Sequence, residues 1–250
     1  MPKRKVLLVV EGKRQEVRLF EALFSCYHLD LSYEIYPYGT NIYELYERMF
    51  LTGAQDELSL LGVLKERAKE EDRWLFDQDY SDVLLVFDYE PQDNRFSPDR
   101  LEEMQRYFNE STDNGKLYVN YPMVEACKHF TKLPDMEFLE RSVSLDGVPY
   151  YKETVGTESR YQSFDRDFRK PEVDGLIALT AIKAARLARI ASDEFAEMLG
   201  EIDHEAVLRA QNRYASTAQK VWVLGMCMMF IPDYSPDLID FDRLKREHLI

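Results

Sequence analysis

Two apolar runs decide the fold: Lys5–Val10, which reads KVLLVV, and Asp82–Phe87, which reads DVLLVF. Short, almost wholly apolar runs of this kind are typical of strands in a parallel sheet that is buried on both faces. The first run leads directly into Glu11, and the second leads into Asp88 and Glu90. Because functional groups of such sheets collect at the carboxyl ends of the strands, we expect these three carboxylates at one edge.

Carboxylates gathered in this way repel one another unless a hard cation lies among them, and Mg²⁺ is the cation that suits such ligands. Glu11, Asp88 and Glu90 are therefore predicted to be catalytic residues and metal ligands. Glu16 is a candidate ligand for a second metal ion. Asp93 can join the site or simply close a turn, since aspartates often bond to their own backbone. The pattern predicts a phosphoryl-transfer site, although ordinary solvated acids would give the same sequence.

Substrate-binding candidates lie beside these acids. Gly12 would let the backbone approach a phosphate closely, and Lys13 and Arg14 follow where they can contact it. Glu125 lies in a later helix that is predicted to start at the same crevice. It is one turn before His129, as a metal pair requires, although an ordinary Glu–His surface pair is the commoner explanation.

The order of apolar segments predicts an α/β fold, with a parallel sheet flanked by helices over residues 1–130. Prolines, glycines and N-capping residues mark the helix starts and the strand ends. The predicted strands are Lys5–Val10, Leu31–Tyr38, Asp82–Phe87 and Lys116–Asn120, and the predicted helices are Gln15–Tyr27, Asn41–Phe50, Glu57–Asp72, Pro98–Asn109 and Pro122–Phe130.

The rest of the chain differs in pattern. Residues 131–172 are predicted to be an irregular connector, in which Asp146-Gly147 could join the strands Ser142–Leu145 and Val148–Tyr151. Residues 173–250 are predicted to be a helical region that contains an antiparallel hairpin. Its second helix is expected over His204–Phe230. Within the connector, Arg160–Lys170 interleaves arginine with aromatic residues, a mixture that can contact nucleic acid.

Composition indicates an ordinary globular protein, because 45% of its 250 residues are hydrophobic and 31% are charged. No apolar run approaches the length of about 18 residues that a membrane span needs, so no membrane contact is expected. Three cysteines without metal-ligand spacing indicate reduced thiols, and a cytoplasmic location is expected.

The formal charge of −14 argues against a nucleic-acid partner, since an acidic surface repels phosphate. Three explanations remain open if phosphate is nevertheless the target. A local basic strip binds it, a partner protein supplies the positive charge, or the substrate is small.

The segments Val9–Glu16 (VVEGKRQE) and Val86–Glu90 (VFDYE) resemble the two acidic motifs of the Toprim domain. The second acid at Glu16 is similar to the form found in the overcoming-lysogenization-defect nucleases and RloB-like proteins. The resemblance covers about the first 130 residues. Glu90 stands where aspartate is commoner in the family.

The resemblance implies a Mg²⁺- or Mn²⁺-dependent nuclease that cuts RNA or DNA. It also implies an effector of bacterial anti-phage defence that works with a separate ABC-type ATPase. This chain contains no Walker sequence, so any nucleotide-driven step would belong to that partner. Two alternatives stay open: a catalytically degenerate Toprim-fold module that binds or regulates, and a metal-dependent phosphatase that acts on a small phosphate ester.

Overall fold

A mixed, mostly parallel sheet flanked by helices forms the centre of the protein. The computed structural model describes residues 4–29, 31–52, 59–191 and 195–248. The strand order is β2-β1-β3-β5-β4, and β8 pairs with β5 beside β4. The strands are β1 Arg4–Val10, β2 Leu31–Pro37, β3 Asp82–Asp88, β4 Asn109–Glu110, β5 Gly115–Tyr121, β6 Ser142–Ser144, β7 Lys220–Trp222 and β8 Leu224–Gly225.

Helices cover the sheet and make up most of the chain after β5. The α-helices are α1 Gln15–Tyr27, α2 Ile42–Tyr46, α3 Leu60–Arg67, α4 Pro98–Tyr107, α5 Tyr151–Glu158, α6 Phe164–Asp167, α7 Lys170–Ala188, α8 Phe195–Glu201, α9 His204–Ala218, α10 Phe230–Tyr234 and α11 Phe241–Arg246. A π-helical turn spans Glu47–Leu51, and 3-10 turns span Glu70–Asp77, Val124–Lys128, Met136–Glu140, Leu145–Tyr150, Met226–Met229 and Pro236–Leu238.

The two strands that carry the acidic motifs are neighbours in the sheet. β1 and β3 run parallel, with Val10 opposite Val86, so the segments that follow the two strands leave the sheet side by side. The apolar residues of β1 from Val6 to Val10 are fully buried, and β3 is buried along its whole length. This burial on both faces explains why the two runs are apolar without alternation.

The C-terminal part of the chain extends the central sheet. β8 pairs antiparallel with the end of β5, where Gly225 lies opposite Asn120. A Cβ atom on Gly225 would lie 2.3 Å from Sγ and 2.8 Å from the backbone nitrogen of Cys127. The close approach of these two backbones therefore requires glycine at position 225.

The predicted helical hairpin is only partly correct. The helices α7 and α9 do pack against each other. However, α9 ends at Ala218, because Gln219 adopts a left-handed backbone with φ of 54° and the chain turns into β7. The prediction of one helix over His204–Phe230 is therefore wrong.

Two other predicted elements differ in the structure. The hairpin within residues 142–151 is wrong, since β6 pairs with β7 and Leu145–Tyr150 forms a 3-10 turn that Ser144 caps. The helix predicted from Pro122 is a short 3-10 turn, Val124–Lys128. The helix predicted over residues 57–72 is α3 followed by the 3-10 turn Glu70–Asp77, and its first two positions lie outside the described residues.

Candidate active site

The ends of β1 and β3 bring Glu11 and Asp88 into direct contact. The backbone nitrogen of Glu11 donates to the carbonyl of Val86 at 3.0 Å, which continues the sheet by one residue. The backbone nitrogen of Asp88 in turn donates to Oε2 of Glu11 at 3.0 Å. The carboxylate of Glu11 therefore lies across the end of β3, at the carboxyl edge of the sheet.

Asp88 is a buried acid with acidic neighbours. Its side chain is buried, with 8% of the residue exposed. Burial raises the pKa of Asp88 well above its ordinary value, and the charges of Glu11, Glu16, Glu125 and Glu90 raise it further. Because all four neighbours are acidic, the Asp88 carboxylate lies in a field that favours a proton or another cation.

The pKa of Glu11 is also raised well above its ordinary value. Burial is the largest cause, and the charge of Glu90 is the next. The hydrogen bond from the Asp88 backbone lowers the pKa of Glu11, but it does not outweigh these two effects. Glu16 and Asp93 also contribute to the rise, so the acidic residues after both strands act on one another.

Glu16 folds back over Gly12 at the start of α1. Its Oε1 accepts a hydrogen bond from the backbone nitrogen of Gly12 at 3.0 Å. A Cβ atom on Gly12 would lie 2.8 Å from Oε2 of Glu16, so a larger residue would displace the carboxylate. Burial raises the pKa of Glu16, and backbone hydrogen bonds partly offset the rise. The backbone donor of Gly12 is therefore bonded to Glu16, while Gly12 itself lines the cleft described below.

Glu90 does not extend β3. The strand ends at Asp88, and Glu90 has a left-handed backbone with φ of 40°. The expectation that Asp88 and Glu90 share one side of an extended segment is therefore wrong. Burial raises the pKa of Glu90, and its Oε2 accepts a hydrogen bond from Nδ2 of Asn41 at 3.4 Å.

Asp93 forms the turn after Glu90. Its Oδ1 accepts from the backbone and from Nε of Arg95, and its Oδ2 accepts from Nδ2 of Asn41 at 2.6 Å. The hydrogen bonds from Arg95 hold the pKa of Asp93 below its ordinary value. With both oxygens engaged, Asp93 fits the turn-forming role that was the alternative to a metal ligand.

A cleft of about 390 Å³ opens beside Asp88. Glu125 is buried in its wall, and Nζ of Lys152 lies 3.3 Å from Oε1 of Glu125. Lys152 belongs to α5 and carries no sequence signal, since only the tertiary fold brings it to the cleft. The residues that line the cleft are Gly12, Lys13, Arg14, Gln15, Glu16, Asp88, Met123, Val124, Glu125 and Lys152.

His129 does not form a metal pair with Glu125. The ring atom Nδ1 of His129 lies 2.9 Å from the hydroxyl of Tyr151, and Nε2 lies 3.1 Å from the carboxylate of Glu158. The 3-10 geometry of Val124–Lys128 removes the helical spacing on which the pairing rested.

The aromatic residues of Arg160–Lys170 are also unavailable for nucleic acid. Tyr161, Phe164 and Phe168 are all buried in the core. Base stacking in this segment, which their interleaving with arginine suggested, is therefore excluded.

The donor atoms of the site are of the type that binds a hard cation, but they are not arranged as a complete ligand shell. Within the described part of the chain, no hydrogen bond reaches Oδ2 of Asp88 or Oε1 of Glu11. Carboxylate oxygens are the ligands that Mg²⁺ prefers. However, the described residues contain no group of three or more His, Cys, Asp or Glu side chains arranged to hold a metal ion. The chemistry fits a cation, while a complete protein ligand shell is not formed.

Comparisons with protein families, with curated proteins and with solved structures found no match. Among the residues described, no helix is long and apolar enough to cross a membrane.

Proposed function

We infer that the protein is a metal-dependent, Toprim-type nuclease that hydrolyses phosphodiester bonds of RNA or DNA. The observation that carries this proposal is the contact between Glu11 and Asp88 at the carboxyl edge of the sheet. The charge of Glu11 raises the pKa of Asp88, and the charge of Glu90 raises the pKa of Glu11. A divalent cation relieves such repulsion, and phosphoryl transfer is the chemistry that carboxylate-bound Mg²⁺ or Mn²⁺ commonly supports.

The acidic residues at the sheet edge would hold the cation and accept a proton. Asp88 and Glu11 would hold the cation through the oxygens that accept no protein hydrogen bond. Glu90 is the further acid whose charge acts most strongly on Glu11. The cation would supply Lewis-acid activation of the phosphate and of the attacking water. Glu11 can alternatively accept the proton of that water, since its raised pKa makes it a stronger base than an ordinary carboxylate.

The cleft supplies groups that hold the substrate. Lys13 and Arg14 are exposed at its wall, where they can contact the phosphate next to the one that is cut. Glu16 and Glu125 lie on the same wall, and their charges act on Asp88. Lys152 forms an ion pair with Glu125 and so reduces the repulsion between this side of the cleft and a phosphate.

A cleavage assay tests the proposal. Purified protein would be incubated with Mn²⁺ or Mg²⁺ and single-stranded DNA, duplex DNA, transfer RNA or a nucleotide monoester. We expect a polymer to be cut only when metal is present, and Glu11→Gln to abolish the cutting. Cleavage of the monoester alone would show a phosphatase in place of a nuclease.

A second candidate is a catalytically degenerate module that binds or regulates. The absence of a closed metal-ligand group among the described residues favours it, as does the charge of −14. A folded protein that cuts no substrate in that assay would support this second function.

The Toprim resemblance adds a biological setting to the proposal: anti-phage defence with an ABC-type ATPase as partner. An ATPase gene next to this one, together with copurification of the two proteins, would support the pairing.

A further inference from the structure

A second depression, of about 660 Å³, lies where β2 ends and faces α2 and α3. In contrast to the cleft beside Asp88, cationic side chains outnumber acidic ones along its wall. The residues that line this basic groove are Lys13, Tyr36, Pro37, Tyr38, Gly39, Glu44, Arg48, Arg67, Lys69 and Asp72. Four of them are cationic and two are acidic, on a protein whose formal charge is −14.

The two arginines of the basic groove are held in fixed positions. Oε1 of Glu44 accepts from Nε of Arg48 and from Nε of Arg67, both at 3.1 Å. The guanidinium of Arg67 also lies over the ring of Tyr38, 4.2 Å from its centroid. Nη1 of Arg67 also donates to the carbonyl of Tyr38. One carboxylate thus orients two guanidinium groups, whose charges outnumber its own at the groove.

The two lysines are available to a ligand. Lys13 is exposed at the wall of the groove. Lys69 approaches Glu71 at 3.7 Å, but both side chains are more than two-thirds exposed, and such surface pairs are weak. An incoming phosphate can therefore compete for Lys69 at little cost.

The basic groove borders the candidate active site. Lys13 lines both the groove and the cleft beside Asp88. The backbone nitrogen of Gly39 donates to the carbonyl of Glu11 at 2.9 Å, which joins the floor of the groove to the acidic edge. A strand that passes through the cleft would reach the basic groove directly.

We propose that the basic groove binds the phosphate backbone of a polynucleotide strand whose scissile phosphate lies beside Asp88 and Glu11. This inference rests on the proposed nuclease function and names where the substrate lies. Tyr36 and Tyr38 are buried, so neither ring can stack on a base. Binding is therefore electrostatic and tolerant of sequence, and it is confined to one local strip of an acidic protein.

Binding without cleavage separates this inference from the function on which it rests. A short fluorescent oligonucleotide of mixed sequence would be titrated with the 250-residue chain in EDTA over a range of salt concentrations. The groove variant Lys13→Gln/Lys69→Gln is compared with Lys132→Gln/Lys220→Gln, which removes the same charge from exposed lysines outside both depressions. We expect weaker binding by the groove variant. On a single strand, the slope of log K against log salt concentration should become less steep by about 0.7 for each lysine removed.

Four outcomes decide whether the basic groove binds the strand. A loss confined to the groove variant supports the basic groove even if the wild-type protein proves unable to cut. Equal losses in both variants would show a general charge effect and overturn the inference, as would wild-type protein that binds no oligonucleotide. Normal cleavage by a groove variant that binds as tightly as wild type would retain the nuclease and reject the groove.

Discussion

Asp88→Asn is expected to abolish metal-dependent cleavage and, at the same time, to raise the free energy of unfolding of the metal-free protein. Asparagine keeps the shape of Asp88 but removes the negative charge that a cation needs. The wild-type carboxylate is buried among Glu11, Glu16, Glu125 and Glu90, which destabilises its charged form. Loss of a positioned catalytic group costs about 10²–10⁴-fold in rate. Relief of this buried charge, of which only Oδ1 accepts a side-chain hydrogen bond, is worth about 1–3 kcal/mol.

The gain in stability is expected to depend on pH. The pKa of Asp88 is raised in the folded protein, so the folded state binds its proton more tightly than the unfolded state, where the ordinary value is 3.8. The stabilising contribution of that proton is complete below the unfolded pKa and is lost as pH rises through the folded pKa. The difference in stability between Asp88→Asn and wild type should therefore be small in acid and grow towards alkaline pH.

Asp82→Asn is the matched control, since Asp82 is a buried aspartate at the opposite end of β3. Burial alone would raise the pKa of Asp82, but hydrogen bonds from Arg4, Ser81 and Ser111 hold it below its ordinary value. This control should lose stability in chemical denaturation near neutral pH, where Asp88→Asn gains it. Destabilisation by both variants would show that the Asp88 charge is satisfied within the fold.

Gly225→Ala is expected to destabilise the protein strongly. The added methyl group would meet Sγ, the backbone nitrogen and Cα of Cys127 at 2.3, 2.8 and 2.9 Å. Two of these atoms belong to the backbone, so β8 and the Val124–Lys128 turn must move apart. Overpacking of a core usually costs about 1–3 kcal/mol, and a backbone clash of this kind should reach or exceed the upper end.

The shift should also reach the candidate active site. The backbone nitrogen of Cys227 donates to Oδ1 of Asn120 at 3.2 Å, and Nδ2 of Asn120 lies 3.4 Å from Oδ1 of Asp88. Gly156→Ala is the control, because a Cβ atom there meets nothing within 4 Å in helix α5. It should leave stability unchanged or raise it by up to about 1 kcal/mol. Thermal unfolding measures both variants, and equal midpoints would contradict the close packing of β8.

Local pattern predicted the elements that position the site. The helix Gln15–Tyr27 matches its prediction at both ends, and the strands at Lys5–Val10 and Asp82–Phe87 each differ by one residue. Both strands are buried on two faces, and short apolar runs of this kind are rarely anything other than buried strands. The meeting of Glu11 and Asp88 then follows from strand ends in a parallel sheet.

The other parts of the site depend on contacts between distant segments. Asp93 is held by Asn41 from another loop, and Lys152 reaches Glu125 from a helix that follows later in the chain. The apolar residues after Ala218 fit a helical pattern equally well, but pairing with β6 and β5 makes two of their stretches strands. Pairing with distant strands therefore determined that these stretches are strands, which their apolar periodicity alone did not show.

Titration of Mn²⁺ into metal-free protein tests most directly whether Glu11 and Asp88 form a cation site. The heat of binding would be measured for the wild type, Glu11→Gln and Asp88→Asn at mildly alkaline pH, where protons compete least with the metal. We predict saturable binding by the wild type and its loss in both variants. Absence of binding to the folded wild type, or unchanged binding by the two variants, would contradict a metal-dependent function for these carboxylates.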